Sequence, residues 1–385
     1  MQYDLTEEQI MLQDTVRRLA KEKIAPGAAE RDEKAEFAWD SVAIFRENGL
    51  FGADFPEKFG GSEMGLFAFC LAIEEVAKVC ASSSVILLVH ELGTMPIFLA
   101  ASDEQKQKYL PSLASGENLI AFGLTEPNAG SDVAGLQTKA ERDGDSFVIN
   151  GRKVFISHAD VAKWVCVACR TDAGGSPTKG QSIIVVEQGT PGFQIGKKEN
   201  KMGIRASSTV ELIFEDCRVP AENILSGEGH GFPILMKTLD FTRVPVAAQA
   251  LGIGQGALDF ALSYTKDRVQ FGKPVFTLQG LQFMFADMAA QLEAARQLTY
   301  KAAATFETME KNLSRLPVEA VRLSAMCKMF AAETAMKVTT DAVQALGGYG
   351  YTKEYPVERM MRDAKITQIY EGTSQVQKVV ISSTL

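Results

Sequence analysis

The sequence predicts a multi-domain α+β protein in which a β domain lies between two helical domains. The chain has 385 residues, and a single hydrophobic core usually stops growing well before that length. The spacing of apolar residues also changes twice along the chain, from helical to alternating and back. We therefore predict a helical N-terminal domain at residues 1–118, a central antiparallel β domain at 119–228 and a C-terminal four-helix bundle at 229–385.

The N-terminal zone carries two helix-start signals and two apolar segments. Thr6 and Gln9 have the spacing of a capping box, and residues 102–105 repeat it. Residues 71–79 and 83–99 are apolar on all sides, which is typical of buried helices. These signals predict a helical domain with a buried centre.

The central zone is rich in β-branched residues and turn signals. Residues 182–187 form a short β-branched run, and apolar residues alternate in 210–214. Within 147–156, the dipeptide Asn150-Gly151 is the usual signal for a type I′ hairpin turn. We therefore predict an antiparallel domain containing a hairpin at that point.

The C-terminal zone contains three long helical segments, at 245–268, 278–308 and 318–346. The last of them is followed by Gly347-Gly348, as a helix C-cap would be. A fourth helix is predicted after Pro356. Long helices joined by short turns favour a four-helix bundle.

Composition excludes several classes of function. The net charge is −8 and the isoelectric point is near 5.2, which disfavours binding to nucleic acid or anionic membranes. No run approaches the roughly 20 uninterrupted apolar residues of a membrane span. The beginning, MQYDLTEEQIMLQ, resembles neither a signal nor a transit peptide. We expect a bacterial cytoplasmic protein or, alternatively, the mature form of a protein of the mitochondrial matrix.

Three motifs suggest cofactor or metal chemistry but have simpler structural interpretations. Cys166 and Cys169 form a CxxC without a second pair, so we expect buried reduced thiols. The glycines of 252–256 resemble a dinucleotide fingerprint, yet no strand precedes them, and tight helix packing explains them better. The three histidines lie far apart, and we predict no metal site.

Two segments have stronger chemical content. Residues 122–132, FGLTEPNAGSD, form a loop rich in backbone N–H groups and hydroxyls, which suits a planar heterocycle or serves only as a turn. Glu371 stands between Tyr370 and Gly372 after an apolar approach. An apolar setting raises a carboxyl pKa and can make a general base, whereas the alternative is a capping or surface residue.

These motifs, with RVQFGK at 268–273, QALGG at 344–348 and MRDAKITQIYEGTSQVQ at 361–377, resemble the acyl-CoA dehydrogenases. The resemblance covers essentially the whole chain and implies the fold predicted above. It also implies FAD as cofactor, an acyl-CoA substrate, an electron-transfer flavoprotein as acceptor, and a homotetramer built as a dimer of dimers.

The resemblance implies roles for individual residues. Glu371 matches the base that removes the α proton while the β hydrogen leaves as hydride to flavin N5. The position matching Thr242, where some relatives carry the base, has no carboxylate here. The positions matching substrate contacts are Ser131, Asp240, Arg243, Tyr370 and Gly372. The positions matching FAD contacts are Phe122, Leu124, Thr125, Phe155, Ser157, Arg268, Gln270, Phe271, Gln279, Gln344, Gly347, Gly348, Thr373 and Gln375.

The resemblance is greatest to members acting on short and branched chains, through residues 197–209 and 291–296. Ser83 replaces an Arg of glutaryl-CoA enzymes, which disfavours dicarboxyl substrates. Glu91 interrupts the apolar helix that would line the acyl pocket, and relatives acting on alicyclic thioesters use an acidic residue there. We hypothesise that Glu91 shapes the pocket for a compact or ring-shaped acyl group; otherwise it is a hydrogen-bonded structural residue.

Two other functions remain open from the sequence. An acyl-CoA oxidase-like enzyme would pass electrons to oxygen, although typical oxidases are longer than this chain. A non-catalytic acyl-CoA-binding relative would keep the fold, although the flavin motifs and Glu371 argue against it.

Overall fold

The computed structural model describes residues 5–171, 176–309 and 315–385. Helices form both ends of the chain and a β-sheet forms its middle, so the predicted fold class is confirmed. The boundaries proposed for the three domains stay a prediction. The N-terminal helices are α1 (Glu7–Leu19), α2 (Ala28–Lys34), α3 (Trp39–Glu47), α4 (Gly65–Ala77), α5 (Ala81–Ala100) and α6 (Asp103–Ala114).

Both predicted capping boxes are present. The N–H of Gln9 donates to the Thr6 hydroxyl over 3.2 Å, and Ser102 caps α6 in the same way. Helices α4 and α5 lie in the core, as their composition predicts. In the described chain, α5 alone is long and apolar enough to cross a membrane, contrary to our expectation, but 78% of its most apolar window is buried within the protein.

The central sheet has eight strands, β1 (Ile120–Gly123), β2 (Lys139–Asp143), β3 (Ser146–Ser157), β4 (Trp164–Arg170), β5 (Gln181–Glu187), β6 (Phe193–Lys198), β7 (Thr209–Pro220) and β8 (Ile224–Leu225). Their order is β6-β7-β3-β2-β4-β5-β8, with β1 paired to β4. It is mixed, because β1 and β2 each run parallel to β4. The prediction of a purely antiparallel domain was therefore wrong for these two pairings.

The hairpin predicted at Asn150-Gly151 does not form, because β3 continues through both residues. Pairing with β7 shifts register there, which is the signature of a β-bulge. The Asn150 side chain bonds across to Asp216, and a Cβ on Gly151 would lie 2.6 Å from the Thr138 hydroxyl. The tight turn lies instead at Gly144, with φ +61°, between β2 and β3.

The C-terminal helices are α7 (Gly231–Asp267), α8 (Gln279–Glu307), α9 (Val318–Leu346), α10 (Val357–Thr367) and α11 (Ser374–Ser383), with a short ribbon of β9 (Val269–Gln270) and β10 (Lys273–Pro274) after α7. They pack around α9, with α7, α8 and α10 as its neighbours and α11 alongside. Helix α7 begins well before the predicted segment and continues through Pro245. Gly347 ends α9 with φ +63°, as predicted.

The glycines that imitate a dinucleotide fingerprint are packing residues of α7. A Cβ on Gly252 would lie 2.3 Å from the Glu74 carbonyl oxygen, and one on Gly256 would lie 2.0 Å from that of Lys78. Only glycine therefore allows α7 to approach α4 this closely. All six cysteines are buried free thiols, including both members of the CxxC.

Candidate active site

Glu371 lies in the turn between α10 and α11, in a left-handed backbone conformation. Its φ is +55° and that of the next residue, Gly372, is +89°. Left-handed conformations are unfavourable for residues other than glycine, so they persist where the surroundings impose them. The turn directs the Glu371 side chain toward α7, where the Thr242 hydroxyl donates to Oε2 over 2.9 Å. The carboxylate and the position that carries the base in some relatives are thus in direct contact.

The environment of Glu371 sets its basicity. Burial raises the pKa of its carboxyl, and the Thr242 hydrogen bond and the charges of Arg243 and Lys328 partly oppose the rise. The net pKa is above the ordinary value. A carboxylate with a raised pKa is a stronger base than an exposed one, as general base catalysis requires.

Arg243 and Asp240 form a buried ion pair one helical turn apart on α7. The guanidinium Nη1 lies 2.6 Å from the Asp240 carboxylate, and Arg243 is only 5% exposed. Burial raises the pKa of Asp240 to about 6, against the effect of Arg243. Arg243 Nε also lies 3.5 Å from the Glu371 carbonyl oxygen. Arg243 is therefore a buried residue that contacts both Asp240 and the backbone of the Glu371 turn.

Tyr370 connects the turn to helix α5. Its hydroxyl donates to the Gln249 side chain on α7. Gln249 in turn donates to the Ser84 hydroxyl on α5 over 2.9 Å. This chain of bonds fixes the residue before Glu371 relative to both helices.

Four of the predicted flavin contacts lie close together at the edge of the sheet. Leu124 and Thr125 follow β1, and the Thr125 carbonyl accepts from Val154 of β3 over 2.9 Å. Phe155, next in β3, has φ +59° and is 64% exposed. Ser157 ends the strand. The strained backbone at Phe155 exposes its aromatic ring to solvent, and a planar ligand could stack on such a ring.

A buried ion pair joins the two segments that carry these contacts. Lys153 Nζ donates to Glu126 over 2.7 Å and to the Leu124 carbonyl over 3.0 Å. The other oxygen of Glu126 accepts from the N–H of Gln137 over 2.6 Å. Lys153 is 0% exposed. The pair therefore holds the loop after β1 against β3 from within the core.

Five of the predicted FAD contacts line one cavity of about 670 Å³ at the end of α7 and α9. A Cβ on Gly347 or Gly348 would meet nothing within 4 Å, so both glycines border open space. The guanidinium of Arg268 lies over the Tyr349 ring at 5.3 Å. A guanidinium that lines an open cavity suits a pyrophosphate, and the cavity is large enough for part of a dinucleotide. The five are Arg268, Gln270, Gln344, Gly347 and Gly348.

The remaining predicted residues lie outside these groups or have other contacts. Phe122 is buried in β1 beside Cys166. Phe271 is 89% exposed near the cavity, and Gln279 begins α8. Thr373 caps α11 by accepting from Val376. The three that complete the set are Gln375, exposed on α11, Ser131, exposed in the loop after β1, and Glu91, buried in α5.

Sequence reasoning missed Lys153, Glu126 and Lys328, and weighed Thr242 only as a position without a carboxylate. Lys328 occupies the buried face of α9, on which apolar residues recur every three to four positions. A lysine on such a face is a detectable signal, because lysine is almost never buried without a partner. The hydrogen-bond partner of Lys328 could be identified only from the folded structure, because Gly372 lies 44 residues further along the chain.

The fold, with its sheet between two helical parts, belongs to a class of flavoprotein oxidoreductases. Three family models match successive parts of the chain: the acyl-CoA dehydrogenase N-terminal domain at 6–117, the middle domain at 121–217 and the C-terminal domain at 229–385. The chain belongs to the acyl-CoA dehydrogenase family.

Named relatives agree with this assignment over their full length. A short-chain specific acyl-CoA dehydrogenase of Clostridium acetobutylicum is 49% identical, with 99% of each chain covered. A cyclohex-1-ene-1-carbonyl-CoA dehydrogenase of Geobacter metallireducens is 48% identical, with 99% of this chain and 98% of the relative covered.

Solved structures give the same result. Butyryl-CoA dehydrogenase from Megasphaera elsdenii has a TM-score of 0.95 at 44% identity, covering 100% of this chain and 99% of the other. A chain from a structure of the electron transferring flavoprotein of Acidaminococcus fermentans also has a TM-score of 0.95, at 46% identity, covering 99% and 98%.

Proposed function

We propose that Glu371 is the base that removes the α proton of a short, branched or alicyclic acyl-CoA, giving the 2-enoyl-CoA. The observation that carries this proposal is a carboxylate with a raised pKa, held in a left-handed turn against Thr242 and Arg243. The matching enzymes from Clostridium and Geobacter act on short-chain and cyclohexene-carbonyl thioesters, which supports this range of acyl groups.

We propose that FAD is the cofactor and that two groups of residues hold it. Leu124, Thr125, Phe155 and Ser157 would bind the ring, and the cavity at Arg268 would bind the pyrophosphate and adenosine, in part across a subunit interface. The exposed ring of Phe155, the open space beside Gly347 and Gly348, and the Arg268 cation fit such a ligand. When bound, FAD supplies a hydride acceptor for the β hydrogen of the substrate.

The chain itself supplies orientation and charge. Ionised Glu371 accepts the α proton, and its raised pKa makes the transfer more favourable. In the described part of the chain, the structure records no acceptor for the Glu371 backbone N–H, which can donate to the thioester carbonyl and stabilise the developing enolate. Asp240 and Arg243, with Ser131, would contact the thioester, and Tyr370 and Gly372 would border it.

We also propose an electron-transfer flavoprotein as the acceptor, a homotetramer built as a dimer of dimers, and a cytoplasmic location in a bacterium. The structural likeness to a chain from the Acidaminococcus flavoprotein work supports the first. The named relatives are bacterial, which agrees with the last.

Anaerobic reduction of the bound flavin tests the proposed function. We expect butyryl-CoA, isobutyryl-CoA and cyclohexanecarbonyl-CoA to bleach the visible flavin absorbance, because each has an α proton and a β hydrogen. Glutaryl-CoA should bleach it slowly, since buried Ser83, bonded to Ser41 over 2.9 Å, offers no cation to a distal carboxylate. The measurement is the stopped-flow bleaching rate for each thioester.

The same experiment separates the alternatives. A colourless protein, or a yellow one that no acyl-CoA bleaches, would contradict the proposal and favour a non-catalytic binding protein. Rapid return of the yellow colour on mixing the reduced enzyme with air would favour an oxidase.

Replacing Glu91 with Gln tests whether this residue shapes the acyl pocket. Glu91 is 2% exposed in α5, and it is the last of several charged groups that add to the effect of burial in raising the pKa of the Cys70 thiol in α4. Glu91 therefore lies in the helical interior. We expect E91Q to change the ratio of cyclohexanecarbonyl-CoA to butyryl-CoA bleaching rates by about 10-fold, the usual effect of one altered pocket contact.

Glu117→Gln is the matched control, because Glu117 is an exposed carboxylate of the same N-terminal part. It should leave the ratio unchanged. If E91Q also keeps both the ratio and the absolute rates, Glu91 is a structural residue.

A further inference from the structure

Lys328 is a buried cation that the proposed chemistry does not yet use. It lies in the middle of α9 and is 0% exposed. Its Nζ donates over 2.6 Å to the carbonyl of Gly372, the residue that follows the candidate base Glu371. A lysine is almost never fully buried without a specific partner, and here the partner is the backbone of the turn formed by Glu371 and Gly372.

The turn is held at both of its carbonyls. Gln377 Nε2 donates to the Gly372 carbonyl over 2.9 Å and to that of Glu371 over 3.1 Å. Lys328 approaches the Gly372 carbonyl from α9, and Arg243 approaches that of Glu371 from α7. These donors can stabilise a backbone conformation that a glutamate would not adopt alone.

The charge of Lys328 also acts on Glu371. Burial lowers the pKa of Lys328 to about 8, against the opposing effect of Glu371. The ammonium therefore stays predominantly protonated at neutral pH and favours the ionised carboxylate. The other groups in this environment are Arg243 and Asp240 of α7, Glu333 and Cys327 of α9, and Tyr370.

We propose that Lys328 is a positioning residue that fixes the Glu371–Gly372 turn and, through its charge, keeps Glu371 ionised for proton abstraction. The inference rests on the proposed role of Glu371 as the base. It assigns to α9 a direct part in setting the geometry and basicity of the site.

The test compares the FAD-containing enzymes K328M and K328R with the unmodified enzyme. Methionine fills the space without charge or hydrogen bond, whereas arginine keeps the charge. We expect K328M to move the ascending limb of the bleaching rate to higher pH by about 1 unit or more, the usual effect of one nearby charge. At pH values below the ascending limb, the bleaching rate of K328M should be lower than that of the unmodified enzyme by about 10-fold for each pH unit of the shift. K328R should restore most of the original profile.

A second readout does not depend on turnover. The infrared carbonyl band of protonated Glu371, identified by its loss in E371Q, should titrate at higher pH in K328M than in the unmodified holoenzyme. This measurement remains informative if no acyl-CoA bleaches the flavin, so failure of the proposed function and failure of this inference are distinguishable.

K328Q provides a second uncharged variant should K328M not fold. An infrared titration and pH profile unchanged in K328M or K328Q would overturn the proposal. Reduced thermal stability with both curves unmoved would also overturn it, because it would show a purely structural lysine.

Discussion

Replacing Glu371 with Gln is expected to slow bleaching of the flavin by butyryl-CoA by about 10²–10⁴-fold, the range typical of a lost general base. The amide has the shape of the carboxylate and can still accept from the Thr242 hydroxyl, whose bond to Oε2 is 2.9 Å long. FAD content and thioester binding should therefore persist. Stopped-flow bleaching and equilibrium binding of the thioester measure the two effects separately.

The pH dependence gives this prediction a second, independent part. Because burial raises the pKa of Glu371, the bleaching rate should increase with pH through a value above that of an ordinary carboxyl. E371Q should lack this ascending limb. Glu354→Gln is the control, since Glu354 is an exposed carboxylate of the C-terminal part. Near-normal bleaching by E371Q would mean that another group removes the proton.

The sequence predicted the fold best where the signal was local. The capping boxes at Thr6 and Ser102 form because donors and acceptors three residues apart meet in any helix start. The hairpin predicted at Asn150-Gly151 was wrong, although the turn preference of this dipeptide is also local. The pairing of β3 with β7 on one side and with β2 on the other keeps the strand extended through both residues. Parallel pairing to β4 likewise depends on long-range contacts that no dipeptide reports.

The candidate site shows the same division. Glu371 could be proposed because its neighbours along the chain and the family resemblance both point to it. Its raised pKa, its bond from Thr242 and the support of Lys328 arise from helices that are distant in sequence. Sequence patterns name such residues only when their type conflicts with their position, as with lysine on a buried helix face.

Replacing Lys153 with Met is expected to destabilise the protein by roughly 3–5 kcal/mol, because breaking a buried ion pair leaves an uncompensated charge. Lys153 is 0% exposed and bonds to Glu126 over 2.7 Å. We expect a lower thermal unfolding midpoint, because the ion pair is lost. We also expect the flavin to dissociate at a lower temperature, as measured by the rise in its fluorescence, because the Leu124 carbonyl loses its hydrogen bond from Lys153. Lys139→Met, at an exposed lysine of β2, is the control and should change neither.

The double variant K153M/E126Q distinguishes a lost attraction from a stranded charge. Burial alone would raise the pKa of Glu126, but Lys153 and the hydrogen bonds to the carboxylate outweigh it, so the net pKa is lowered. A carboxyl with a lowered pKa stabilises the folded state above its unfolded pKa, and this contribution is lost as pH falls through the folded value. In K153M the charge that opposes the burial of Glu126 is gone, so the lone carboxylate is destabilising. Removing this second charge as well should recover much of the stability at neutral pH, while flavin release stays early because Leu124 remains unanchored. A double variant less stable than K153M would contradict this prediction. It would show that the unpaired Glu126 carboxylate is not the cause of the instability of K153M, and that Lys153 stabilises the protein by other means than the ion pair.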